Sequence, residues 1–441
     1  VIRRRIIMNF KKLMRASTVL GVSLAMAACS GGGSTSGGDS GSSGGKKVTV
    51  WCWDENFNIK AMEDAKQIYM KDNPDVEIVI ENVDQDSIVQ KLNTAFTSGV
   101  TDTLPNIVLV EDYRIQGYLQ SYKDAFEDLS DIVNTADFSS YKMAVNTLDG
   151  KTYGVPFDSG ITGLYVRTDI LEEAGVTVED VSEITWSQYI DVAKKVKDKT
   201  GKDALTLDPN DSGMVRMMMQ SAGTWFTSED GKTVTVADNA PLKEAFETIK
   251  AMKDAGIVKD SSSWETFTSA FQNGDVWSVP TGCWISPTIQ QKADQSGKWT
   301  VVKFPRLDKS ENATNFSACG GGGWYVVAGK DNNDVAKDFL KKTFASDAEL
   351  MNQLVTDISL VSTLKAAADT ENYKLPSAFF GETPVYENFS NWSNEIPSVN
   401  YGLHTYLVGD IVVKQLQQYL NGTDLATALD TAQKEAEGKA K

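Results

Sequence analysis

The sequence predicts an α/β protein of two domains, each a sheet wrapped by helices. Three observations carry this. The chain has 441 residues, too many for one ordinary hydrophobic core. Residues 48–110 alternate strand and helix patterns in the order βαβαβ, the order of a mostly parallel sheet. A second α/β set begins at Thr185.

The elements follow in turn. Val48–Trp53 is an apolar, β-rich run, and Ile59, Met62, Ala65 and Tyr69 then recur at helical spacing. Val76, Ile78 and Ile80 make the next strand. Ile88, Leu92, Ala95 and Phe96 form a helical stripe stopped by Gly99. Ile107–Val110, after Pro105, reads as a short buried strand. Ligands of such sheets bind beyond the carboxyl ends of the strands, here at Trp53–Phe57 and Glu111–Gln116. In the second set Thr185 caps a helix carrying Trp186, Tyr189, Ile190, Ala193 and Val196, with Gly201 past its end. Pro241 opens a helix closed by Gly256. Four glycines, Gly320–Gly323, precede an apolar run, and Ala336, Phe339, Leu340 and Phe344 mark a further helix. The last long helix covers about Leu403–Leu420, and a charged C-terminal helix starts at Asp424.

The charge excludes some partners. The net charge is −17, and without the six basic residues of the leader it becomes −23. So acidic a surface repels phosphate backbones, which argues against nucleic acid and for a neutral ligand. The single histidine, His404, excludes every multi-histidine metal site, and neither metal nor cofactor is expected. Of Cys29, Cys52, Cys283 and Cys319, no two form a C-x-x-C pair. One disulfide among the last three, or three reduced thiols, both remain open.

The N-terminus supplies an address. Residues 3–15 are basic and residues 16–28 small and apolar, so residues 1–28 read as a signal peptide, with Met8 a plausible start. The apolar run is shorter than the roughly 20 residues a bilayer span needs. Met26-Ala27-Ala28-Cys29 resembles a lipobox, with Met where Leu is usual. That resemblance implies lipidation of Cys29 and attachment to the outer face of the cell membrane; a plain secretory signal is the alternative. Residues 29–45 are then the lipidated cysteine and a Gly/Ser tether, with an r.m.s. reach of roughly 20–25 Å.

Several segments, in order, resemble the extracellular solute-binding protein family 1, the group containing maltose-binding protein. They are the opening strand Val48–Trp53, NPDVEIVI with LPNIVLVED, YGVPFDSGITGLYVRTDIL at 153–171, TWSQYIDVAKKVK, AFQNGDVWSVPTGCW at 270–284, and GGGGWYVVAGKDNNDVAKDFLKKTFAS. The similarity covers about residues 46–441. It implies a two-lobed type II periplasmic-binding-protein fold joined by a hinge of several segments, with crossings near 155–160, 315–320 and 370–380. Lobe one is then 46–157 plus 320–375, and lobe two 158–319 plus 376–441. It further implies a monomer that captures a sugar or oligosaccharide by hinge closure and delivers it to the permease of an ABC importer.

A sugar site needs aromatic plates for ring faces and carboxylates, amides or Arg for hydroxyls. Trp53, Asp54 and Glu55 follow the first strand; a cap for the next helix is their structural alternative. Asp112, Tyr113 and Arg114 follow another strand end; the alternative there is a surface turn. By the resemblance, Trp284 matches a stacking tryptophan, Trp225 a second aromatic wall, and Tyr401 and His404 a last aromatic contact. Asp158, at the first crossing, would bind hydroxyls or hold the hinge. Trp324, after the glycines, would meet a ligand or sit in the core of lobe one. No catalytic motif is present: no G-x-S-x-G, H-E-x-x-H or P-loop. A secreted glycoside hydrolase is the remaining enzyme reading. The same fold could instead take a peptide, a polyamine or a glycerol phosphoester.

Overall fold

A computed structural model describes residues 46–440. The signal peptide, Cys29 and the tether lie outside the described residues. In chain order the strands are β1 (Lys46–Cys52), β2 (Val76–Asn82), β3 (Ile107–Glu111), β4 (Thr147–Leu148), β5 (Lys151–Thr152), β6 (Gly154–Pro156), β7 (Thr162–Arg167), β8 (Leu205–Leu207), β9 (Val258–Asp260), β10 (Ser278–Gly282), β11 (Trp299–Lys303) and β12 (Gly322–Val326).

Lobe one is built on a five-stranded sheet in the order β2-β1-β3-β12-β6. It is parallel where the chain winds βαβαβ, from β1 to β3. It turns antiparallel at β12, which comes back from the other lobe between β3 and β6. Side chains of successive strand residues point to opposite faces, and both faces of this sheet are covered. Ile107 and Leu109 of β3, with Trp324 and Val326 of β12, enter one core together with Val48 and Val50. Val108, Val110 and Tyr325 enter the other.

Lobe two has a three-stranded antiparallel sheet, β10-β7-β11, beside the parallel pair β8–β9. Ser278 N donates to Ala204 O (2.9 Å), tying the two together. This antiparallel centre is absent from the sequence reading, because the strands that form it are short and far apart in the chain.

The helices begin where their caps predict. Thr185 and Gln188 form a full capping box for Trp186–Thr200, and Gly201 ends it in a left-handed turn. Asn239 caps Ala240–Asp254, so Pro241 lies just inside the start. Asp424 caps the last helix, Leu425–Lys439.

The chain leaves β6 for β7, returns between β11 and β12, and the two passages pair through a bridge between Ile161 and Ala318. A third passage lies between Tyr373, in the core of lobe one, and Phe380, in that of lobe two. No helix among the described residues is long and apolar enough to cross a membrane.

Candidate functional site

β3 ends at Glu111, and the helix Asp112–Ser121 begins at the next residue. Asp112 therefore sits inside the fold. Its carboxylate accepts from Lys142 Nζ at 2.5 Å, and both side chains are wholly buried. Burial pushes the Asp112 carboxyl up, against the pull of Lys142, to about 7. Its second oxygen has no partner. The returning chain passes directly over this pair. A Cβ on Gly321, whose φ is +101°, would lie 2.7 Å from Asp112 Oδ2 and 2.9 Å from Lys142 Nζ. Only glycine fits there. Asp158 Oδ1 accepts from Gly322 N (2.7 Å), and burial raises its carboxyl too. Asp112, Lys142 and Asp158 thus brace the return into β12.

Beside them an aromatic cluster joins the lobes. Tyr113 stacks on Trp225 (5.6 Å, 22°) and meets Tyr401 edge-on (4.8 Å). Its hydroxyl accepts from Gly320 N (3.2 Å). The Trp225 indole donates to Thr405 Oγ1 (3.0 Å) and the Tyr401 hydroxyl to Gln220 Oε1 (3.0 Å). Tyr406 donates its hydroxyl to Glu111, and the Arg114 guanidinium lies 4.0 Å from the centre of the Tyr406 ring. Each aromatic pair contributes about 0.5–1.5 kcal/mol beyond its buried area, so the cluster is a firm contact between lobes.

The open part of the site belongs to lobe two. Ser263 and Thr266 form a capping box for the helix Trp264–Gln272, which places Trp264 at its first position, 56% exposed. Strand β10 ends at Gly282, and the turn Cys283–Ile285 delivers Trp284. A Cβ on Gly282 would stand 2.7 Å from Trp284 Cδ1, so the glycine lets the indole fold back over the chain. Trp284 Nε1 then donates to Cys319 O (2.8 Å), fixing the ring against the crossing segment. The two indoles lie 6.0 Å apart at 39°. They line a cavity of about 210 Å³ whose wall includes Asp208, Asp211, Ser261 and Thr281. Apolar plates beside carboxylates and hydroxyls suit a neutral polyhydroxylated ring.

Of the residues predicted from sequence, Trp284 alone lines this cavity. Trp225 and Tyr401 lie in the aromatic cluster, 2% and 1% exposed. Trp324 takes the second of its two expected places, the core of lobe one. It is 0% exposed in β12 and packs on Phe157 and Phe344 in the core of lobe one, so it offers a ligand no face. The glycines before it admit the buried charges of Asp112 and Lys142, not a ligand. Trp53 is half-buried against both cores. Asp54 closes a turn by accepting from Asn56 N (2.8 Å), and Glu55 accepts from Asn82 Nδ2 (3.0 Å). Phe57 occupies the cap position of the next helix, without a side-chain bond. His404 stands at the cap position of Thr405–Leu420.

Sequence reasoning missed Trp264, Asp208 and Asp211. Ser263 followed three residues later by Thr266 is a helix-start signal, and it would have put Trp264 on an exposed first turn. Cys52, Cys283 and Cys319 are free thiols, and burial pushes Cys52 up to about 12 and Cys319 to about 11. A larger cavity, about 540 Å³, lies between residues 223–228 and 398–400. Its one tryptophan, Trp225, is buried, so it lacks an open aromatic plate.

The pattern of the bacterial extracellular solute-binding proteins matches residues 64–381. The chain belongs to this family. The binding protein is 38% identical to a lactose-binding protein of Rhizobium radiobacter over 98% of its own length and 100% of the relative's. Among solved structures it is similar to a family 1 extracellular solute-binding protein, with a TM-score of 0.76 at 20% identity, over 90% of this chain and 100% of that one. It is also similar to the galacto-N-biose-/lacto-N-biose I-binding protein of the ABC transporter from Bifidobacterium longum, with a TM-score of 0.72 at 20% identity, over 90% and 97% of the two chains. The two-lobed architecture of this binding protein is that of maltose-binding-like proteins.

Proposed function

We propose that this chain captures a neutral disaccharide, with lactose the first candidate, and hands it unchanged to the permease of an ABC importer. The observation that carries the reading is the exposed Trp264 beside Trp284, with Asp208 and Asp211 in the same cavity wall. The 38% identity to a lactose-binding protein over nearly the whole chain supports the choice of sugar. The energetics are compatible. One-micromolar binding requires about −8 kcal/mol. Two stacks at about 1 kcal/mol each fall short of it. Hydrogen bonds from sugar hydroxyls to the two carboxylates, at about 1.5–3 kcal/mol each, would supply much of the remainder.

The basic leader, the short apolar run and Cys29 support a lipid anchor on the outer membrane face, with the tether leaving the binding protein free to turn toward a permease. The working form in this reading is a monomer. Calorimetric titration of lactose into purified protein, followed by analysis of the recovered sugar, tests the capture. Saturable heat with intact lactose supports it. Cleaved lactose would make the chain a hydrolase, and an absence of heat with any disaccharide would remove the sugar reading.

A further inference from the structure

Two carboxyls and one ammonium meet where the chain crosses between the lobes. Asp112 and Lys142 are wholly buried, and Asp158 stands beside them, two residues past β6 on the first crossing. Lys142 pulls both carboxyls down against their burial, and the charge of Asp158 pushes that of Asp112 up. The other titratable groups here bring no positive charge. Tyr141 on the helix Ser140–Asn146, Tyr325 on β12 and Tyr401 face Asp112, and burial pushes their hydroxyls well above the ordinary value. Burial likewise keeps the Cys283 thiol, beside Asp158, protonated. Glu111, before Asp112 in the chain, turns instead to Arg114 (3.3 Å).

With both acids ionised, the cluster holds one net negative charge. One added proton balances it, and the hydrogen bonds say which acid takes that proton. Asp158 Oδ1 accepts from Gly322 N (2.7 Å), a bond that an ionised carboxylate makes best. Asp112 gives one oxygen to Lys142 and leaves Oδ1 without a partner. The proton therefore belongs on Asp112. Backbone alone covers it. Asp112 N donates to Gly321 O (3.0 Å) and Phe157 N to Gly322 O (3.0 Å). A Cβ on Gly160 would lie 2.7 Å from Gly320 O, so the first and second crossings press together with no side chain between them. Lifting this cover would admit water and remove the penalty on the charged form of Asp112.

We propose that Asp112 is a proton switch for the crossing between the lobes: Gly320–Gly322 stays seated while Asp112 is protonated and is released as the proton leaves. In the seated form burial raises this carboxyl from 3.8 to about 7. A raised acid contributes stability that is full below its ordinary value and is lost as pH climbs through the raised one, with nothing further lost beyond it. The crossing is then tight in a mildly acidic medium and looser in a neutral one. The switch is independent of which ligand the chain takes.

Hydrogen exchange of the mature protein tests this, read on peptides spanning the crossing and divided by the intrinsic rate at each pH. Protection of the crossing is expected to fall about ten-fold between about pH 5.5 and 7.5. Asp112→Asn keeps the shape and cannot ionise, so its protection should be the same at both. Asp158→Asn removes the neighbouring charge and should move the midpoint down by roughly one pH unit. This second variant decides the matter if the first does not fold. Wild-type protection that changes less than about two-fold across the window overturns the switch. So does a pH response that survives in Asp112→Asn, or a midpoint that stays in place or rises in Asp158→Asn.

Discussion

Asp112 and Trp264 each occupy the first turn of a helix, one in each lobe, and they do opposite things. Asp112 carries a charge and is wholly buried against Lys142 under the glycine crossing. Trp264 is among the largest apolar side chains and is 56% exposed. Residue type alone would reverse the two. A buried charge and an exposed large apolar group are the informative exceptions to ordinary burial, and each marks a task. In lobe one the charge holds the shape of a crossing strand. In lobe two the indole leaves an apolar face open at the surface.

The difference can be broken at either end. The largest effects are expected in the braced region. Lys142→Met strips the buried Asp112 carboxyl of its partner, so that it must take up a proton or stay charged without compensation, and should lower stability by about 3–5 kcal/mol, read from urea unfolding. A loss under about 1 kcal/mol would mean that the pair is dispensable. Trp324→Ala should cost about 3–5 kcal/mol as well, because it opens a cavity in the core, and the protein that stays folded should bind sugar as before. A selective loss of binding would restore Trp324 to the site.

In the exposed region the effect moves from stability to affinity. Trp264→Ala should weaken sugar binding by about 1–2 kcal/mol while changing unliganded stability by less than about 0.5 kcal/mol. A drop in stability with unchanged affinity would make Trp264 a packing residue. Smallest of all is Glu55→Gln, which removes an exposed charge while keeping an oxygen that accepts from Asn82, and should shift both stability and affinity by less than about 0.5 kcal/mol. A ten-fold loss of affinity there would return the end of β1 to the site.

The fold was largely legible in the sequence. The βαβαβ order, the capping box at Thr185 and the glycine ends at Gly99 and Gly201 all rest on local signals, and each is realised locally. The antiparallel centre of lobe two was not, because β7, β10 and β11 pair across more than a hundred residues of intervening chain. The site was only partly legible. The expectation for Trp284 rests on the resemblance to a stacking tryptophan of the family, and the residue lies in the wall of the small cavity. The expectations for Trp225 and Tyr401 rest on the resemblance, and that for Trp324 on the glycines before it; neither says which face of a strand or which side of a seam a side chain takes. Trp324 belongs to the face of β12 that packs into lobe one, and the parity of that strand decides it. Asp112 looked like a hydroxyl-binding acid because its partner Lys142 is thirty residues away, on another helix.

The structure of the protein crystallised with lactose tests the central claim most directly. The account predicts a pyranose ring against Trp264 and Trp284, with hydroxyls on Asp208 and Asp211. Sugar bound in the larger cavity beside Asn400, with both indoles bare, would contradict it.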